Sequence, residues 1–171
     1  MKNKNTIIVF VTLFLLAVLS RWVSHLWNFT LVGSAFIFAA AYFTDKKISV
    51  VLMLLTMLIS DYIIGFHSQM ISVYLGYLVL LSFGFLLNTQ SNRLKILGYS
   101  FAGTFAFYLI SNFGVWTEGQ LYPKTLAGLI DCYIMALPFY RNQLLSDVMG
   151  SMLFFEVAKQ VTQYQSERAK I

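Results

Sequence analysis

Six apolar segments separated by short polar stretches set the pattern of this chain. They are Thr6–Ser20, Leu31–Phe43, Ile48–Ser60, Ile71–Leu87, Ile96–Phe113 and Asn142–Ala158. A helix of about 20 apolar residues crosses the roughly 30 Å hydrocarbon core of a bilayer. Several of these segments are shorter, so flanking aromatic and polar residues must complete the crossings. The pattern predicts an all-α integral membrane protein, a six-helix transmembrane bundle formed by one domain, residues 1–171.

Basic residues concentrate on one side of this predicted bundle. Threading the segments in order puts nine of the twelve Lys and Arg residues on one side: Lys2, Lys4, Lys46, Lys47, Arg93, Lys95, Lys159, Arg168 and Lys170. Basic residues concentrate in the cytoplasmic loops and tails of membrane proteins. We therefore expect a multi-pass protein with both termini in the cytoplasm.

The first apolar segment also has the basic head and apolar run of a secretory signal. The small residues expected before a cleavage site are weakly represented, and five further segments follow. Removing the first segment would also break the alternation of basic residues. We interpret it as a retained first helix.

The last outer connection, from Gly114 to Arg141, contains a semi-apolar stretch that holds Asp131 and ends at Pro138. A seventh span here would move the basic C-terminus to the outer side. The sequence therefore predicts a short re-entrant or interfacial helix in this connection.

Composition agrees with a membrane protein. Hydrophobic residues make up 58% of the chain, more than the roughly 45–50% of ordinary globular chains. The mean hydropathy of the chain is +0.71. The net charge of +5 arises from basic residues scattered in twos and threes, which indicates contact with anionic membrane lipid and not with nucleic acid. The single cysteine, Cys132, excludes a disulfide within one chain. No cofactor and no resident metal are predicted.

Polar and ionisable residues collect at the predicted outer end of the bundle. Such groups are costly at membrane depth unless they face a cavity, a partner or water. We predict an outward-facing pocket for a small solute, with a lining of Trp22, His25, Trp27, Asn28, Asp61, His67, Asn112, Trp116, Tyr122, Arg141, Asn142 and Asp147.

Other interpretations of this outer end stay open. The three tryptophans are also typical of an interfacial aromatic belt, although directional asparagine side chains beside them favour a ligand site. A second hypothesis is an assembly role, in which the outer end contacts another protein. A third is an outer-leaflet enzyme with His67 or His25 as the base, but the chain has no HExxH or GxSxG motif.

The last apolar segment carries a polar and small stripe. Gln143, Asp147, Gly150 and Ser151 share one helix face, and we predict that this face points inward. Gly150 and Ser151 are typical of close helix packing, whereas packing alone does not account for Asp147.

Four stretches, WNFTLVGSAFIFAAAYF, ISDYIIGFH, SNFGVW followed by YP, and ALPFYRNQLLSDV, resemble small bacterial membrane proteins grouped near the S components of energy-coupling-factor vitamin transporters. The resemblance spans most of the chain and is strongest at Asn28–Thr30 and Leu137–Phe139. It implies a six-helix protein of the bacterial cytoplasmic membrane that binds a vitamin, a precursor or a metal ion from outside, beneath three outer loops. Because some relatives handle corrinoids, the resemblance also makes Cys132, His25 and His67 candidate cobalt ligands.

The resemblance further implies an energy-coupling membrane partner. Many S components dock to that partner through an Ala-xxx-Ala pattern on the first helix. Here the first segment has only Ala17, and the pair Ala35 and Ala39 lies on the second. A solitary transporter and a dedicated partner both stay open.

Overall fold

Every element in the described part of the chain is an α-helix. The computed structural model describes residues 11–12, 14–20 and 28–168, and no strand occurs among them. Residues 11–12 and 14–20 are helical and form α1, and five further helices follow: α2 (Val32–Tyr42), α3 (Lys46–Ile64), α4 (Met70–Gly84), α5 (Arg93–Glu118) and α6 (Leu126–Arg168). The all-α prediction is confirmed for these residues.

Several predicted features lie outside the described residues. They are the beginning of the first apolar segment, with Lys2 and Lys4, the C-terminal Lys170, and four residues of the first outer loop, Arg21, Trp22, His25 and Trp27.

Short polar side chains begin three of the helices. Asp45 accepts a hydrogen bond from the Lys47 backbone N–H at 3.0 Å, and Asn92 accepts one from the Lys95 N–H at 2.8 Å. Thr125 Oγ1 accepts from the Gly128 N–H at 3.2 Å at the start of α6. These bonds satisfy backbone donors that have no partner within the helix.

Helix α2 is the centre of the bundle. Nine consecutive residues, from Val32 to Ala40, are buried, and α3, α4, α5 and α6 all contact it. A helix that is apolar around its whole circumference is expected to be enclosed by other elements. Ala35 and Ala39 are 2% and 3% exposed, so this pair belongs to the core and offers no docking surface.

Glycine residues let the helices approach closely. A Cβ built on Gly84 of α4 would lie 2.6 Å from the Ile37 carbonyl oxygen and 2.7 Å from the Ala40 Cβ, both on α2. A Cβ on Gly76 would lie 2.9 Å from the Phe107 ring of α5. The helix backbones therefore approach to distances that a larger residue would prevent.

The core holds large apolar side chains such as Phe36 and Phe155, but it also takes in small and polar ones, while many other large apolar side chains are exposed. On α3 the buried face includes Ser49, Thr56 and Ser60, whereas Val51 and Leu55 are about half exposed. The same holds for α5, which exposes a row of phenylalanine and leucine side chains. Two helices, α3 with a mean hydropathy of 1.9 and α5 with 1.3, are long and apolar enough to span a membrane.

Helix α6 differs from its prediction. The sequence predicted a separate short helix ending at Pro138 and a last helix over 142–158, but residues Leu126–Arg168 form one helix with Pro138 inside it. At 43 residues this helix is about 64 Å long. The separation of the two helices was therefore wrong. Proline lacks only one backbone donor, and neighbouring side chains can satisfy the carbonyl groups that it frees.

A matched pair of glycine substitutions tests the close contact of α2 with α4. We expect Gly84→Ala to lower the free energy of unfolding by about 1–3 kcal/mol, because the new methyl group overlaps α2. Gly98→Ala is the control, since a Cβ there meets nothing within 4 Å, and it should leave stability unchanged or raise it. The measurement is loss of the helical circular dichroism signal on heating in detergent. Equal effects of the two substitutions would contradict the close contact between α2 and α4.

Candidate functional site

Asp147 is the most unusual buried group in the described chain. Its side chain is 0% exposed and lies on α6 opposite Thr104 of α5. Thr104 is about 16 Å along a helix of about 39 Å, counted from Arg93. Asp147 therefore lies near mid-length of the bundle and not at the outer end where the sequence pattern placed it.

One carboxyl oxygen of Asp147 has a clear hydrogen-bond donor. Thr104 Oγ1 donates to Asp147 Oδ2 at 2.9 Å. The Ser34 backbone and the Gln143 side chain also lie beside the carboxyl group, but no described donor reaches Oδ1 with hydrogen-bond geometry. The Gln143 amide nitrogen likewise has no partner among the described residues. The Asp147 carboxyl group and the Gln143 amide thus lie close enough to interact in the interior, but without the geometry of a full hydrogen bond.

The carboxyl group is held directly against the backbone of α2. A Cβ on Gly33 would overlap the Asp147 carboxyl group, and a Cβ on Gly150 would overlap the Ser34 hydroxyl. Glycine at both positions therefore permits α2 and α6 to bring the carboxyl group into the core. The inward direction predicted for the stripe on α6 agrees with the burial of all four of its residues.

Two buried hydroxyl groups extend this polar region by one helical turn. Ser100 precedes Thr104 by one turn of α5, and Ser151 follows Asp147 by one turn of α6. Because α5 and α6 run antiparallel, both serines lie on the same side of the carboxyl group. Each is 0% exposed, and neither hydroxyl has a partner among the described residues. We call Thr104, Gln143, Asp147, Ser100 and Ser151 the Asp147 layer.

Asp61 belongs to a different part of the bundle. It is 1% exposed, and its Oδ2 accepts a hydrogen bond from Tyr74 of α4 at 2.7 Å. Helix α3 contacts α2 and α4, but it does not contact the described parts of α5 or α6. The structure therefore does not bring Asp61 and Asp147 into one site.

A tyrosine cluster joins α5 to the first half of α6. The Tyr108 ring lies 4.6 Å from the Tyr140 ring and 5.5 Å from the Tyr133 ring, between centroids. The Tyr108 hydroxyl donates to the Tyr133 carbonyl oxygen at 2.7 Å. That carbonyl precedes by one residue the Ile134 carbonyl, which loses its intrahelical donor to Pro138. Tyr108 thus ties α5 to α6 close to the proline.

Asn112 and Cys132 meet above this cluster. Asn112 donates from Nδ2 to the Tyr108 carbonyl oxygen at 2.8 Å. The backbone carbonyl oxygen of Asn112 accepts a hydrogen bond from Cys132 Sγ at 3.4 Å. Cys132 is 2% exposed. Within the described chain no three His, Cys, Asp or Glu side chains gather as a metal site would require. His67 lies exposed in the loop between α3 and α4, so it is not brought to Cys132.

Trp116 organises the connection between α5 and α6. Its indole N–H donates to the Pro123 carbonyl oxygen at 3.0 Å, and Lys124 Nζ lies 5.7 Å from the ring centroid. Lys124 also donates to the carbonyl oxygens of Trp116 and Gly119 at the end of α5. Tyr122 lies half-buried in the same connection. The indole N–H is therefore engaged within the loop.

The remaining predicted site residues lie apart from the Asp147 layer. Asn28 is exposed, and its φ of 58° is a left-handed conformation that asparagine adopts more readily than most residues. Arg141 is exposed and Asn142 is half-buried. Of the described residues in the predicted lining, none other than Asp147 belongs to the Asp147 layer.

Thr104 and the tyrosine cluster were missed in the sequence. A signal for them was present, because Ser100, Thr104 and Tyr108 recur at intervals of four on an otherwise apolar helix. This spacing places them on one helix face. The same reasoning had identified the stripe on α6.

A double-mutant cycle tests whether Thr104 and Asp147 form one unit. We expect Thr104→Val to destabilise the protein by about 1–3 kcal/mol, because the carboxyl group loses its donor while staying buried. Adding Asp147→Leu to that variant should recover much of the loss, since both polar partners are then gone. Thermal unfolding of the wild type, both single variants and the double variant gives the coupling energy. Strict additivity would show that the two side chains do not interact.

Comparison with known proteins gives a family but no characterised relative. No curated protein and no solved structure matches the chain significantly. The model of a family of unknown function, DUF6580, matches residues 1–169, nearly the whole chain. The chain therefore belongs to the DUF6580 family.

Proposed function

We propose that this protein binds a small, vitamin-like solute within a six-span membrane bundle and takes it up into the cell, in the manner of S components. In this proposal it is a multi-pass protein of the bacterial cytoplasmic membrane with both termini inside. The observation that carries the binding function is the fully buried Asp147 carboxyl group, one oxygen of which no described donor reaches.

The distribution of side chains supports the membrane location. In a water-soluble bundle, large apolar residues fill the core and polar ones face solvent. Here Phe101 is 52% and Phe113 is 49% exposed on α5, while Ser100 and Thr104 are fully buried on the same helix. Lipid tails accept exposed apolar side chains, and small or hydroxyl residues allow close packing between helices in lipid.

The positions of basic residues support the proposed orientation. Lys46 lies over the Phe85 ring at 4.9 Å, and Lys159 donates to the Ser91 carbonyl oxygen at 2.7 Å. The Arg93 guanidinium nitrogen Nη2 lies 3.4 Å from Glu156 Oε2. Basic residues from three helices therefore share the end of the bundle that holds the loop between α4 and α5, which we call the basic end. A basic end is typical of the cytoplasmic side.

The Asp147 layer supports solute binding because a structural role explains it poorly. A buried charge or polar group is costly without full hydrogen bonding, and apolar residues of similar volume are often as stable or more stable. In a membrane bundle an ionisable residue is a functional-site hypothesis by default. The Asp147 carboxyl group offers an acceptor, and Gln143 offers a donor beside it.

The proposed binding requires the packing around Asp147 to open. Gly33 and Gly150 hold α2 and α6 in direct contact, so the described conformation is closed. In our proposal α6 separates from α2 to admit the solute, and Pro138 provides the bend. Proline is a common site of helix bending in membrane helices.

Cysteine labelling tests the proposed orientation. Native Cys132 is 2% exposed, so it should contribute little background. We expect His67→Cys, between α3 and α4, to react with a membrane-impermeant maleimide in intact cells. Gln90→Cys, between α4 and α5, should react only after permeabilisation. The opposite result would invert the bundle, and labelling of both in intact cells would refute the six-span arrangement.

Native mass spectrometry tests solute binding and names the solute. The protein is purified gently from its own membranes, and the ratio of loaded to unloaded peaks gives occupancy. We expect a stoichiometric small molecule, and we expect Asp147→Asn to weaken its binding by at least about tenfold, because one carboxyl oxygen is replaced by an amide nitrogen that donates and cannot accept a hydrogen bond.

Asp61→Asn is the matched control, since Asp61 is equally buried but lies outside the Asp147 layer. It should leave occupancy unchanged. Circular dichroism of both variants checks that the helices remain folded. If the wild type retains only lipid or a co-purified protein, the solute-binding proposal fails and the assembly role replaces it.

A further inference from the structure

A groove lies on the outer surface of α5 towards the basic end, on the face of the helix opposite the buried Ser100 and Thr104 of the Asp147 layer. Its volume is about 410 Å³, and it is shallow and largely open to the surroundings. Asn92 and Lys95 lie at its polar end, whereas Phe83, Tyr99 and Ala102 form apolar walls. The groove thus changes from cationic and hydrogen-bonding to apolar along its length.

Gly98 keeps the floor of the groove open. A Cβ built on this residue meets nothing within 4 Å, in contrast to Gly76, Gly84 and Gly114, whose positions are filled by neighbouring helices. Glycine in a helix interior is destabilising by roughly 0.5–1 kcal/mol relative to alanine. Gly98 therefore carries this cost without any close helix contact in the described structure.

Lys95 is the cation that the groove presents. Other basic side chains at this end are engaged, since Arg93 pairs with Glu156 and Lys159 donates to Ser91. The Lys95 ammonium group has neither a hydrogen bond nor an ion pair among the described residues. Asn92 uses its carbonyl oxygen as the helix cap, so its amide group still offers a donor.

We propose that this groove binds one anionic phospholipid of the cytoplasmic leaflet. Its phosphate group lies at Lys95 and Asn92, and the upper part of an acyl chain lies along Gly98 and Ala102. Charge complementarity favours this occupant, because at this end the basic residues from Lys46 to Lys159 outnumber the acidic Asp45 and Glu156. Basic sites on the cytoplasmic side of membrane proteins are suited to anionic headgroups. The inference rests on the membrane placement proposed above but needs no transported solute.

The test compares two lipids with the same acyl chains. Purified, delipidated protein is titrated in detergent with phosphatidylglycerol or with phosphatidylcholine, and native mass spectrometry measures the fraction that carries one lipid. We expect tighter binding of phosphatidylglycerol. Lys95→Gln should weaken it about fivefold, the contribution of one basic residue near an anionic headgroup. Gly98→Leu, which fills the floor, should weaken it more than about tenfold.

Lys47→Gln is the matched control, because it removes one charge at the same end but outside the groove. It should leave binding unchanged. An equal loss with Lys47→Gln, or equal binding of the two lipids, would overturn the proposal. Loss of a co-purified protein in Gly98→Leu with unchanged lipid binding would assign the groove to a protein partner. If Gly98→Leu does not fold, Lys95→Gln still decides, and the cysteine labelling tests membrane placement separately.

Discussion

Close packing of α4 and α6 on α2 is the constraint on which the rest of the structure depends. Large rings also pack on α2, as Phe155 of α6 does on Phe38. Because α2 is buried over nine consecutive residues, some neighbouring positions must nevertheless be small, namely those where a Cβ would overlap α2. Gly84 of α4 and Gly150 of α6 meet this requirement, and Gly33 meets it on α2 itself. Other large apolar residues lie on the outer surfaces of α3 and α5. The outside of the bundle is thus more apolar in character than several of its helix contacts.

The same constraint explains how polar groups come to be buried. Contacts built from small residues bring serine, threonine and aspartate side chains into the interior, where they must find partners within a short distance. Asp61 has the Tyr74 hydroxyl and Asp147 has the Thr104 hydroxyl. The Asp147 carboxyl group retains one oxygen without a described donor, beside the unpaired Gln143 amide nitrogen. A fully buried carboxyl group together with several incompletely paired polar groups around it makes this layer the candidate site.

Sequence patterns predicted the helices well where a helix was bounded by polar residues. Helix α2 was expected over 31–43 and spans Val32–Tyr42, while α4 was expected over 71–87 and spans Met70–Gly84. The pattern failed at α6, because Pro138 was interpreted as an end although the helix continues through it. It also grouped Asp147 with Trp116 and Asn112, which lie further along α5. A periodic face gives the direction of a side chain but not its depth opposite another helix.

The sequence by itself determined the helical class, the apolar segments, the inward face of the stripe on α6 and the collection of basic residues between the segments. These properties depend on local periodicity and on the transfer of side chains out of water, which are readable along one chain. Only the tertiary structure decided that Thr104 meets Asp147, that Asp61 lies elsewhere, and that Gly98 floors an open groove while Gly84 fills a helix contact. Such pairings depend on the relative register of two helices. Register is fixed by the packing of all the helices around α2, and no single segment encodes it.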